Sequence, residues 1–75
     1  MNNKMANDIA DMFSEMGLLA SPKSRQGKPT SWAVSFLLKP DKKNAFEEIL
    51  LDFSDLKLKL EYEPHGVSME RVLLY

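Results

Sequence analysis

The stretch LKLKLEYE at residues 56–63 alternates apolar and polar side chains without interruption. A period of two is typical of a strand that buries one face and exposes the other. Pro64-His65-Gly66 follows as a turn signal, and VSMERVLLY at residues 67–75 predicts a returning strand. The C-terminal part of the chain is therefore predicted to be a β-hairpin.

The register of this hairpin follows from the length of its turn. A two-residue turn at His65-Gly66 sets Tyr62 opposite Met69 and matches apolar residues along the two strands. A three-residue turn would instead set Leu60 opposite Glu70 and Tyr62 opposite Ser68, so the two-residue turn is favoured. In the favoured register Val72 and Leu74 face away from the core.

Residues 3–16 predict an amphipathic helix because Met5, Ile9, Met12 and Met16 recur on one side at helical spacing. Asn2 or Asn3 is placed to cap its N-terminus. Gly17 stands where a left-handed residue ends a helix, with Leu18 and Phe13 positioned for the apolar contact of a Schellman motif.

Between this helix and the hairpin the chain predicts a loop, a strand and a second helix. Residues 20–31 contain two prolines, a glycine and several hydroxyl side chains, which predicts a long loop. WAVSFLL at residues 32–38 predicts a strand, and residues 41–53 predict a helix with Asp41 as its N-cap.

The predicted fold is a single α+β domain over residues 1–75, with elements in the order α-β-α-β-β. We expect a two-layer sandwich with both helices on one face of a three-stranded, mainly antiparallel sheet. A right-handed crossover makes the first two strands parallel, and we favour a third strand that lies between them.

Composition limits the functional classes. The 75 residues are 44% hydrophobic and 28% charged, with a net charge of −1, which is ordinary for a globular domain. Acidic residues rather than an apolar run follow the N-terminal residues, which does not fit a signal peptide. No apolar stretch is long enough for a membrane span, so we expect a cytoplasmic protein. Ordering so short a chain about balances its apolar burial, which favours a partner or self-association.

The residues for catalysis and metal binding are largely missing. The chain has no Cys, and its one His, His65, lies in a predicted turn without an adjacent nucleophile. Glu61 and Glu63 share a strand face, as solvated residues commonly do. No glycine-rich phosphate loop or calcium loop is present. We therefore expect no enzyme, catalytic residue, cofactor or metal site.

Outward apolar residues instead predict a protein interface. On the second helix Leu51 projects away from the apolar stripe and lies among Glu47, Glu48 and Asp55. An apolar side chain surrounded by acids suits a basic-rimmed pocket on another protein. A second apolar patch on the uncovered face of the sheet is predicted from three residues, Leu37, Val72 and Leu74.

The rival hypothesis is a nucleic-acid-binding domain. Lys23, Arg25 and Lys28 lie in the predicted loop without an acid among them, and Trp32 follows. A second basic group comprises Lys39, Lys42 and Lys43. Because the overall charge is nearly neutral, this hypothesis depends on local clustering.

The sequence thus favours a small non-enzymatic interaction module, an adaptor or inhibitor that binds a larger protein or itself. Small stand-alone domains of this kind occur among accessory proteins of phages and mobile elements, some directed at host enzymes. Nucleic-acid binding remains the alternative.

Overall fold

A computed structural model of the chain describes residues 1–25 and 31–75. Two α-helices and four strands make up its regular structure. They are α1 (Asn3–Glu15), β1 (Leu19–Ser24), β2 (Trp32–Leu38), α2 (Lys43–Leu50), β3 (Leu60–His65) and β4 (Met69–Leu74). Two 3-10 helices, Pro40–Lys42 and Leu51–Leu56, extend α2 at its two ends.

Local signals set both ends of α1. The Asn2 side chain accepts a hydrogen bond from the Met5 amide at 2.8 Å, which satisfies a free donor of the first turn. At the other end Gly17 has a φ of 87°, and the Leu18 amide donates to the Phe13 carbonyl at 3.1 Å. This is the Schellman ending that the sequence predicts.

The sheet has four strands in the order β1-β2-β4-β3, and every neighbouring pair is antiparallel. The prediction that the C-terminal strand lies between the other two is confirmed. The prediction of a three-stranded sheet is wrong, because β1 occupies part of the segment interpreted as a loop at residues 20–31. Pro22 lies within β1, an edge strand of the sheet. Its missing amide proton therefore removes no hydrogen bond between strands.

The hairpin register also differs from the prediction. The strand β3 continues through Pro64 to His65, which pairs with Met69, so the turn consists of residues 66–68. Tyr62 consequently lies opposite Val72 rather than Met69. The observed register thus differs from the predicted one by three residues. Because this number is odd, every side chain of β4 points to the opposite face from the one predicted.

The 3-10 helix Leu51–Leu56 changes where β3 begins. Lys57 follows it with φ 54° and ψ 43°, a left-handed conformation that redirects the backbone. The strand therefore begins at Leu60, not at residue 56 as the alternation predicted. The second helix likewise divides into α2 and its flanking 3-10 turns.

The core lies between the two helices and one face of the sheet. Four phenylalanine rings meet there: Phe13 of α1 contacts Phe36, Phe46 and Phe53, with ring centroids 4.7, 5.7 and 5.7 Å apart. Buried aliphatic side chains from both layers surround these rings. The opposite face of the sheet carries no helix among the described residues, as the two-layer prediction requires.

Candidate interaction surfaces

The first candidate surface, called here the Leu51 surface, comprises Leu51 with Glu47, Glu48 and Asp55. Leu51 has helical φ and ψ angles of −61° and −28°, so the turn of α2 continues into the 3-10 helix. Glu47 and Glu48 lie one α-helical turn before Leu51 and are its neighbours, and Asp55 follows in the 3-10 helix. The 72% exposed Leu51 side chain therefore lies among carboxylates that are themselves exposed.

These carboxylates leave the Leu51 surface negatively charged. The ion pairs within 4.0 Å among the described residues join Lys4 to Asp8 and Lys43 to Glu70, and neither involves an acid of this surface. The hydrogen bond from Lys43 to Glu70, together with their attraction, raises the pKa of Lys43. Lys43, the lysine of α2, is hydrogen-bonded to Glu70 of β4 and also interacts electrostatically with Glu47. The negative charge of the Leu51 surface is therefore only partly offset.

The predicted patch on the uncovered face of the sheet is only partly present. Val72 and Leu74 are 0% and 2% exposed and belong to the core, so the expectation that they face outward is wrong. The physical reason is the shifted register, which places the side chains of Val72 and Leu74 on the face of the sheet that the helices cover. Leu37 does lie on the uncovered face, where it is half-buried opposite Arg71 of β4.

The uncovered face instead carries charges of both signs. A shallow depression of about 460 Å³ runs across it between Lys23 on one side and Glu61 and Glu63 on the other, with Arg71 and Leu73 between them. Such a mixture suits polar contacts with another macromolecule. It does not offer the single sign of charge that a nucleic-acid backbone requires.

One chain of contacts crosses this face. The Arg25 guanidinium lies 3.7 Å from the centroid of the Tyr75 ring, a cation–π contact. The Tyr75 hydroxyl donates a hydrogen bond to the Glu61 carboxylate, and this bond is the main reason that the pKa of Tyr75 is raised. Arg25 is therefore held against the sheet.

The residues of the nucleic-acid hypothesis are not brought together. Lys23 of β1 and the following Arg25 lie beside the start of β2. Lys39, Lys42 and Lys43 follow the far end of β2, about 20 Å away along the strand. Lys43 is paired with Glu70. The third residue of the loop group, Lys28, lies outside the described residues.

The sequence prediction missed a further surface, the free edge of β3. Its strand is exposed at every residue, and the apolar side chains of Leu60 and Tyr62 are 37% and 44% exposed. The signal was present in the alternation at residues 56–63, which indicates a strand but not which strands flank it. Whether a strand lies at the edge depends on the order of the strands in the sheet, which only the three-dimensional structure shows.

Comparisons with known proteins do not relate these surfaces to a characterised site. No helix of the described residues is long and apolar enough to cross a membrane. No family model matches the chain, and neither a curated protein nor a solved structure is similar to it at a significant level.

Proposed function

We propose that this chain is a cytoplasmic, non-enzymatic interaction module, an adaptor or inhibitor that docks its Leu51 surface into a basic-rimmed apolar pocket of a larger protein. The observation that carries the proposal is the 72% exposure of Leu51 within a group of exposed carboxylates that lack ion-pair partners among the described residues. An inhibitor of this kind acts by occupying the pocket, which requires no chemistry of its own.

The energetics of such docking divide between the two parts of the surface. Complete burial of a leucine side chain contributes about 1.5–3 kcal/mol. The carboxylates contribute mainly to the rate and specificity of association, because a negative patch steers towards a positive one. A pocket without a basic rim would leave these acids desolvated and unpaired, which selects against other partners.

The first experiment identifies what contacts Leu51 in the source cell. A photoreactive amino acid is placed at position 51, and a second variant carries it at position 67. Val67 is fully exposed in the hairpin turn and is the matched control. We expect a discrete cross-linked protein from position 51 that is absent from position 67. Equal, diffuse cross-linking from both positions would contradict the proposal.

The second experiment measures binding to the purified cross-linked protein. Leu51→Asp should weaken the affinity by about 10- to 150-fold, the equivalent of the leucine burial energy. Val67→Asp should leave the affinity unchanged. The variant with amides in place of the three carboxylates should associate more slowly and show less dependence on salt. An unchanged affinity for Leu51→Asp would exclude this surface as the docking site.

A stability control separates docking from folding. Leu51 is exposed, so Leu51→Asp should change the free energy of unfolding by no more than about 0.5 kcal/mol. Urea denaturation followed by circular dichroism measures this quantity.

A further inference from the structure

The free edge of β3 presents backbone groups that are ready to pair. The Lys59 amide donates to the Tyr75 carbonyl at 2.6 Å, and the Tyr75 amide donates back to the Lys59 carbonyl at 3.0 Å. In an antiparallel ladder such reciprocal pairs recur at every second residue. Glu61 and Glu63 therefore direct their amide and carbonyl groups to β4, whereas Leu60 and Tyr62 direct theirs away from the sheet.

The other edge of the sheet is blocked at its centre. The Arg25 amide donates to the Ser31 carbonyl at 2.7 Å, which by the same alternation directs the backbone of Pro22 outward from β1. Because proline has no amide proton, β1 lacks a donor in the middle of its free edge. The corresponding proline of β3, Pro64, lies near the end of the strand, so the donors of Leu60 and Tyr62 remain.

The charge of the chain changes sign at Leu60, where β3 begins. The segment KLKLEYE at residues 57–63 has two lysines before Leu60 and two glutamates after it, at matching distances. If a second copy of the strand runs antiparallel with Leu60 opposite Leu60, Lys59 of each copy lies opposite Glu61 of the other. Opposite charges across a strand pair stabilise it, whereas like charges oppose it.

Neighbouring registers lack this match. A pair centred on Glu61 sets two glutamates directly opposite each other, and a pair centred on Lys59 does the same with two lysines. A pair centred on Tyr62 sets Glu61 opposite Glu63. Among these registers, only the one centred on Leu60 sets Lys59 opposite Glu61 in both copies, places no like charges opposite each other and joins the outward backbone groups of Leu60 and Tyr62.

The apolar side of the strand fits the same register. Leu60 meets its own copy, and Tyr62 lies opposite Leu58, so side chains that are partly exposed in one chain cover one another. Charged residues commonly protect the edge strands of natural sheets from pairing. Here their order along the strand favours pairing with an identical strand.

We infer that two copies of this chain form a two-fold symmetric dimer by antiparallel pairing of β3 with β3 across Leu60, which makes one continuous sheet through both copies. The dimer does not depend on the proposed target of the Leu51 surface. It places two Leu51 surfaces in one assembly.

Charge reversal tests this arrangement. One variant carries Lys57→Glu and Lys59→Glu, and the other carries Glu61→Lys and Glu63→Lys. Each variant alone sets like charges against like and should sediment as a monomer, whereas an equimolar mixture should form a heterodimer. The control variant Lys4→Glu with Lys39→Glu changes the net charge by the same amount away from β3 and should dimerise like the original chain.

Disulfide formation tests the same arrangement without charge reversal, which could itself unfold the chain. The chain has no cysteine, so Leu60→Cys introduces one thiol, which lies opposite its own copy at about 5.5 Å between Cα atoms, a distance that a disulfide spans. We expect mild oxidation to link Leu60→Cys into a covalent dimer, whereas the exposed turn variant Val67→Cys links much more slowly.

Three results would each overturn the inference. The first is an original chain that stays monomeric up to millimolar concentration in sedimentation equilibrium. The second is a mixture of the two folded charge variants that remains monomeric. The third is Leu60→Cys oxidation no faster than that of Val67→Cys.

Discussion

At the residue scale, Tyr75 joins three strands of the uncovered face. Its ring supports the Arg25 guanidinium at the end of β1, and its hydroxyl binds Glu61 of β3. The hydrogen bond to Glu61 and the negative charge of this group raise the pKa of Tyr75, whereas Arg25 lowers it. Replacing either neighbour should therefore move the pKa in a known direction.

We predict opposite shifts for two substitutions in a Tyr62→Phe background, in which Tyr75 is the one tyrosine that titrates. Glu61→Gln should lower the pKa of Tyr75 towards its ordinary value of about 10. Arg25→Gln should raise it further. Absorbance of the tyrosinate during an alkaline titration measures both, and shifts of the same sign would show that the contact chain does not exist in solution.

The effect of pH on stability follows from the same raised pKa. A group whose pKa is higher in the folded than in the unfolded chain stabilises the fold below the unfolded value. This contribution is lost as the pH rises through the folded value. The Tyr75 contact should thus be intact throughout the neutral range and fail only in alkaline solution, above the ordinary tyrosine pKa.

At the element scale, α1 depends on Gly17 for its ending. A φ of 87° is strained for any residue with a Cβ atom. A Cβ at this position would lie 3.8 Å from the Lys42 Nζ atom, an ordinary contact, so the cost is one of backbone conformation alone.

We predict that Gly17→Ala lowers the free energy of unfolding by about 1 kcal/mol. Gly17→Asn should cost less, because asparagine tolerates the left-handed region better than alanine. Urea denaturation of the three proteins measures the order. Equal stability of Gly17→Ala and the original chain would show that α1 ends differently in solution.

The two prolines of the sheet explain most of the difference between predicted and observed elements. Pro22 contributes to the predicted loop and Pro64 to the predicted turn, yet both lie inside edge strands with their backbone nitrogens directed outward. A proline is excluded from a central strand but tolerated at an edge. Whether a strand lies at an edge is a property of the sheet, which local sequence does not contain.

At the scale of the whole molecule, Phe13 connects the two layers. It is 0% exposed and contacts an aromatic ring of β2, one of α2 and one of the following 3-10 helix. A domain of this size rarely has more than about 3–5 kcal/mol of stability from its core. Loss of one such ring therefore matters for the entire chain.

We predict that Phe13→Ala, which should cost about 3–5 kcal/mol, leaves the chain largely unfolded at room temperature. Phe13→Leu should retain a cooperative thermal transition at lower temperature. Met12, predicted to lie on the apolar side of α1, is 48% exposed, so Met12→Ala should change the transition little. Circular dichroism measures all three, and a native-like transition for Phe13→Ala would show that stability does not depend on the aromatic cluster.

The candidate surfaces differ in how far sequence could predict them. The exposure of Leu51 follows from helical periodicity, and Leu51 is 72% exposed in the structure. The outward patch of Val72 and Leu74 depended on a turn length, and it was wrong because the turn has an odd number of residues. The free edge of β3 could not be predicted without the order of all four strands.

The sequence by itself determined what depends on neighbours along the chain. These features are the Asn2 cap, the Gly17 ending of α1, the apolar stripe of α2 and the strand alternation around Leu60. The tertiary structure alone decided that residues 19–24 form a fourth strand, that Val72 is buried and that the backbone of Leu60 is directed outward. Short-range hydrogen bonds and helical periodicity act within a few residues. Strand pairing instead joins segments distant in sequence, and its register assigns each face.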